Sequence, residues 1–198
     1  MLFKRLLIAL ALVITSMTFS PFLSGDAEAR KVFDPSSRTY REIGPGARHG
    51  KSKIKRKVVK YATKRPIGTI IVNTKERRLY HVLGKGKAMR YGIGVGREGF
   101  QWSGTHRVSR KAEWPGWTPP AAMRRRQPGL PKYMPGGINN PLGARALYIG
   151  STIYRIHGSN APWTIGGAVS SGCIRMTNKD VEHLYERVKI GAKVVVVR

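Results

Sequence analysis

A single cysteine, Cys173, stands in a chain of 198 residues. One thiol cannot close an internal disulfide, so it is inert, intermolecular or reactive. Acidic residues are also scarce, with 10 Asp and Glu against 37 Lys and Arg, a formal net charge of +27. That imbalance implies polyanionic partners and salt-dependent association. No second cysteine or paired-histidine spacing offers a metal site, and no glycine loop of the P-loop or dinucleotide type is present, so neither metal nor cofactor is expected. Internal repeats are missing too. The N-terminal apolar stretch, Leu6 to Phe19, falls short of the roughly 20 residues that span a bilayer.

What is present begins with an export pattern over residues 1–29. Lys4-Arg5 precedes the apolar stretch, Pro21 and Gly25 follow it, and Ala27-Glu28-Ala29 is an A-x-A cleavage site before Arg30. A cleaved signal peptide is expected, with an uncleaved anchor as the alternative; no cysteine near its end allows lipid attachment. The expected location is therefore periplasmic, in the cell envelope. Outside a cytoplasmic membrane the available polyanions are anionic lipid surfaces and a carboxylate-rich wall. Residues 30–65 carry 13 Lys and Arg against Asp34 and Glu42, include Gly44-Pro45-Gly46, and show almost no apolar periodicity. They read as a basic linker drawn to the anionic envelope surface. No aromatics interleave the run Lys51 to Lys57 to stack bases, so a nucleic-acid partner is not expected.

From Pro66 to Arg198 the texture is that of one domain. Gly68 to Asn73 and Arg78 to Leu83 are β-rich runs around the turn Thr74 to Arg77, predicting a hairpin. Ala88 to Val95 and Thr105 to Ser109 extend the meander. Pro115 to Gly143 holds seven prolines, a long loop of the kind that forms a lid or binding wall. Ala146 to Gly150 and Ile153 to His157 predict a second hairpin. One helix is expected: Thr177 and Asp180 mark its start, Val181, Leu184, Tyr185 and Val188 its apolar face, and Gly191 its end. Val194 to Val197 is a closing strand. The class is mainly β, sandwich-like or barrel-like, with one late helix and a long loop over the site.

The chemistry centres on Cys173. A free thiol is largely protonated at neutral pH, and a nearby imidazole can take its proton and return it to a leaving amine. His157 is best placed, at a strand end before Gly158. His49 lies in the linker, His81 and His183 have no chemical neighbour, and nothing around His106 resembles a site. Gly172 permits close backbone approach of a ligand, and the amides of Gly172 and Cys173 are candidate oxyanion donors. Arg175 falls on the face of Cys173 if the segment is extended, suited to a substrate carboxylate. A small buried cysteine and a surface arginine are the bland alternatives.

At Ile156-His157-Gly158-Ser159-Asn160 and Ser170-Ser171-Gly172-Cys173-Ile174-Arg175-Met176 the chain resembles the L,D-transpeptidase catalytic domain (YkuD-type), a resemblance extending through Arg110 to Pro115 and Pro141 to Leu147. The resemblance implies that Cys173 attacks a peptidoglycan stem tetrapeptide at the diaminopimelate–D-alanine bond, releases D-alanine, and passes the acyl group to an amine. The acceptor would be a second stem peptide or an envelope protein, or water in an L,D-carboxypeptidase. It further implies that His157 is the base, oriented by the Gly158 carbonyl, with Asn160 as a rival orienter. Two departures stand out: Ser171 where many members carry histidine, and Trp102-Ser103-Gly104-Thr105 where a Thr-Pro-Thr-Gly turn is frequent. A non-catalytic peptidoglycan-binding module of the same fold is the competing reading. A papain-like peptidase fails on order, since its cysteine precedes its histidine.

Overall fold

The computed structural model describes residues 30–34, 39–43 and 52–198. The expected signal at 1–29 lies outside the described residues. The elements are β1 (Arg30–Asp34), β2 (Thr39–Ile43), β3 (Lys57–Lys60), β4 (Ile70–Asn73), β5 (Arg78–Gly84), β6 (Lys87–Gly92), β7 (Val95–Gly96), β8 (Gly104–Glu113), α1 (Ala121–Arg126), β9 (Arg145–Ile149), β10 (Arg155–His157), β11 (Ala168–Ser170), β12 (Ile174–Arg175), α2 (Asn178–Arg187) and β13 (Lys193–Val197), with a single 3-10 turn at Pro162–Thr164.

Nine strands form one sheet in the order β12-β10-β9-β8-β13-β4-β5-β6-β3. Most neighbours are antiparallel, but β13 runs parallel to β4 and β10 parallel to β12. The sheet curls until its β12 edge meets the chain just beyond β6, where Gly94 and Arg175 exchange both backbone hydrogen bonds at 2.8 Å. This near-closure makes the domain barrel-like, with β3 left as the edge strand beyond β6. A second small sheet pairs β7 with β11.

Alternation decides what lies inside. Ile70 and Val72 of β4, Val194 and Val196 of β13, and Leu147 and Ile149 of β9 enter one core with Ile156 and Ile174. α2 closes that core with Val181 and Leu184, and Val188 follows at its C-cap. Its start is the expected one: Thr177 caps it, its hydroxyl accepting from the Asp180 N–H at 3.1 Å. Ile71, Tyr80, Val82 and Ala88 pack on the opposite face.

Two expectations need correction. The basic segment 30–65 is not simply a linker among its described residues. It contains the hairpin β1–β2 and the strand β3, which pairs with β6 at the end of the large sheet. Ile54 presses on Gly92 and Gly166, and Arg56 reaches the buried Asp180 at 3.0 Å. Isolated apolar residues between cations carry no periodicity, so only the tertiary pairing reveals them. The helix is also not alone, because the proline-rich segment folds the short α1. That segment has its own apolar cluster of Trp117, Leu130 and Leu142, and Asn140 substitutes for regular structure by donating to the carbonyls of Pro115 and Pro135 while accepting from the Leu142 N–H.

Candidate active site

The parallel pairing of β10 and β12 sets Ile156 beside Ile174 and His157 beside Arg175. Because side chains alternate, the isoleucines enter the core and the other residues face the opposite side. One step back along the same register, Arg155 comes beside Cys173. Arg155, His157, Cys173 and Arg175 all line one cavity of about 550 Å³. The proline-rich segment supplies much of the facing wall through Trp117, Pro120, Met123 and Leu142. This is the long loop over the site that the sequence predicts.

His157 is buried, and its Nδ1 lies 2.6 Å from the Gly158 carbonyl. A carbonyl can only accept, so Nδ1 carries the hydrogen and Nε2 is left with its lone pair. Burial, then the charge of Arg175, pushes the imidazole pKa down to about 3; the Gly158 carbonyl pulls the other way. Asn160, the rival orienter, instead donates to the Asn139 carbonyl at 2.9 Å.

Gly158 has no room for a side chain, since a Cβ there would lie 2.3 Å from Asn178 Oδ1. That oxygen accepts from the N–H groups of Ala144, at 3.1 Å, and Ser159, at 3.0 Å. The first residue of α2 thus fastens the loop after His157 to the strand before it.

Cys173 is half-buried at the cavity. Burial pushes its thiol pKa up, while the Arg155 guanidinium and backbone N–H, and more weakly Arg175, favour the thiolate. At rest the pair is therefore a neutral thiol and a neutral imidazole. The turn before Cys173 is clamped by Ser170, whose hydroxyl accepts from the Gly172 N–H at 3.2 Å and donates to the Cys173 carbonyl at 2.6 Å. The Gly172 amide, expected as an oxyanion donor, is thus engaged within the turn in this structure. The Cys173 N–H has no acceptor among the described residues.

Arg175 is buried rather than presented at the surface. Its guanidinium donates to Thr164 Oγ1 at 2.9 Å and Ser159 Oγ at 2.5 Å, so part of its donor capacity ties neighbouring loops together. His106 packs edge-on to Trp102 and is no part of the cavity lining. His81 is buried away from the site, His183 meets the Tyr91 hydroxyl at 2.8 Å, and His49 lies outside the described residues. No three His, Cys, Asp or Glu side chains converge as metal ligands among the described residues. Sequence reasoning missed Arg155, although the same two-residue alternation that selects Arg175 selects it. It also missed Ser159, Thr164 and Asn178, whose roles depend on which loops meet.

A family model of the L,D-transpeptidase catalytic domain matches residues 67–196. The chain is 40% identical over 137 residues to the probable L,D-transpeptidase ErfK/SrfK of Escherichia coli, covering 65% of this chain and 43% of that protein. It is 41% identical over 134 residues to the probable L,D-transpeptidase YbiS of the same organism, covering 63% of this chain and 43% of that one. The chain thus spans less than half the length of these curated relatives. Among solved structures it is 43% identical to a Brucella melitensis protein described as a probable carnitine operon oxidoreductase, with a TM-score of 0.50 over 73% of this chain and 94% of that one. An Enterococcus faecium L,D-transpeptidase carrying a cysteine-to-serine mutation is 20% identical, with a TM-score of 0.53 over 67% of this chain and 50% of that one, a likeness of fold.

Proposed function

The chain belongs to the L,D-transpeptidase catalytic-domain family, and from that premise we propose that it is a cysteine-dependent peptidoglycan L,D-transpeptidase of the periplasm. The observation that carries this reading is the convergence of Cys173 and His157 from adjoining strands on one cavity, with His157 Nδ1 tied to the Gly158 carbonyl.

The mechanism follows from the proton positions. Substrate binding brings the carbonyl between the third-residue L-centre and D-alanine against Cys173. His157 Nε2 takes the thiol proton as sulfur bonds the carbonyl carbon, and the π pair moves to oxygen. When the oxyanion collapses, the C–N bond breaks and D-alanine leaves with the proton from His157. An acceptor amine then attacks the thioester, gives a proton to His157, and displaces the sulfur, which regains its proton. Neutral resting groups suit this order, because charge appears only once substrate has covered the site. Arg97, Arg126, Arg155 and Arg175 line the cavity and no acidic side chain does, which favours the carboxylates of a stem peptide.

Product analysis by mass spectrometry tests the reading. Purified protein and its C173A variant are incubated with a disaccharide-tetrapeptide. Cross-linked dimer and a thioester adduct, both missing from the variant, are expected. Tripeptide alone means an L,D-carboxypeptidase, and unchanged substrate with unmodified protein means a binding module.

A further inference from the structure

The Trp102-Ser103-Gly104-Thr105 segment, a departure from the family's frequent turn, lies against the nucleophile loop. The Trp102 indole Nε1 donates to the Gly172 carbonyl at 2.7 Å. Its ring stacks on Tyr154 at 4.5 Å with planes only 7° apart. Tyr154 in turn occupies the space beside Gly172, where a Cβ would lie 2.3 Å from its Cε1. Gly172 also has φ +107°, a conformation that L side chains rarely adopt. The nucleophile turn is therefore held from one side by two stacked aromatic rings.

We propose that Trp102 is a positioning residue that fixes the peptide between Gly172 and Cys173 so that the Cys173 N–H points into the cavity as the oxyanion donor. The mechanical reason is peptide planarity. Across a trans peptide the C=O and the following N–H point in opposite directions, and the described residues contain no cis bond. Trp102 does not line the cavity, whereas Cys173 does. A carbonyl turned towards Trp102 thus turns the Cys173 N–H the other way. Ser170 Oγ holds the Gly172 N–H and the Cys173 carbonyl. Of the Gly172 and Cys173 amides, the Cys173 N–H is therefore the one left for chemistry. An oxyanion donor contributes only if it is aimed before the reaction begins, and the indole N–H does the aiming.

This inference rests on acyl transfer at Cys173, the proposed function, but its test does not require the natural substrate. W102F keeps an aromatic ring against Tyr154 and removes the N–H. Two reagents then separate the roles. p-Nitrophenyl acetate acetylates the sulfur: His157 takes the thiol proton, the S–C bond forms, the carbonyl π pair moves to oxygen, and p-nitrophenolate leaves as the pair returns. Iodoacetamide alkylates the same sulfur by displacing iodide from a saturated carbon, with no oxyanion. W102F is expected to slow acetylation by about tenfold to hundredfold, given that deleting an oxyanion donor outright costs ~10²–10³, and to leave alkylation within about twofold of wild type.

Acetylation at the wild-type rate, or an equal fall in both reactions, overturns the proposal. So does a wild-type thiol that is alkylated but resists acetylation. Should W102F melt early by circular dichroism, site-specific 3-benzothienylalanine at position 102 preserves both rings and lacks the N–H, and the same ratio of rates decides. A wild-type protein that is acetylated but inert to the tetrapeptide defeats the transpeptidase reading and leaves the role of Trp102 standing.

Discussion

Cys173 and His157 occupy surroundings that disfavour both of their charged forms, and the nearby arginines act on the two unequally. Burial raises the thiol pKa, Arg155 lowers it, and Arg175 adds to burial in keeping the imidazole neutral. Replacing Arg155 with methionine removes the thiolate's main cationic support. The pH profile of iodoacetamide alkylation is expected to move to higher pH, with the rate at neutral pH falling roughly threefold to tenfold. An unmoved profile would mean that the guanidinium does not act on the sulfur. For Arg175 the structure changes the expectation. R175A leaves the hydroxyls of Thr164 and Ser159 without their buried donor, so it should cost roughly 1–3 kcal/mol of stability in addition to any effect on substrate. Urea titration reads that loss directly, and an unchanged midpoint would return Arg175 to a purely substrate-facing role.

At the level of elements, the start of α2 serves both the helix and the site. Thr177 caps the helix, and its neighbour Asn178 turns outward to hold the Ala144 and Ser159 amides. The two can be separated. T177A should lower stability by about 1 kcal/mol and leave acylation unchanged. N178A strands two amides beside the His157–Gly158 loop, so it should cost roughly 2 kcal/mol or more and also slow acylation where alkylation is untouched. Equal behaviour of the two variants in acylation would reduce Asn178 to a helix residue. The apolar face of α2 was legible because a 3.6 period records burial against a flat partner. The contact of Asn178 with two distant loops leaves no such periodic trace, and neither does α1, whose six residues are fixed by the cluster around Trp117.

For the whole molecule, pH dependence follows from where the histidines lie. His81 is buried with neither ring nitrogen hydrogen-bonded among the described residues, and burial followed by Arg187 lowers its pKa. His157 is lowered to about 3 and His183 is lowered as well. Each native imidazole refuses a proton that the unfolded chain accepts near pH 6.5. Stability is therefore complete above that value and declines as pH falls below it, towards about 3 for His157. Denaturant midpoints across this range should show the decline, and H81F should flatten part of it. A wild-type profile that rises on acidification would contradict the burial of these rings.

The sequence by itself determined the β-rich class, the capped late helix, the long proline-rich wall and the pairing of Cys173 with His157. Each of these is written locally, as a two-residue or 3.6-residue period, as turn residues, or as a short motif on adjoining strands. The tertiary structure alone decided that Ile54, Arg56 and β3 dock on the domain, that Arg175 is buried among hydroxyls, that the Gly172 amide is already engaged, and that Trp102 braces the turn before Cys173. Those facts depend on which distant segments share a surface once the sheet has curled, and neither charge count nor periodicity records that meeting.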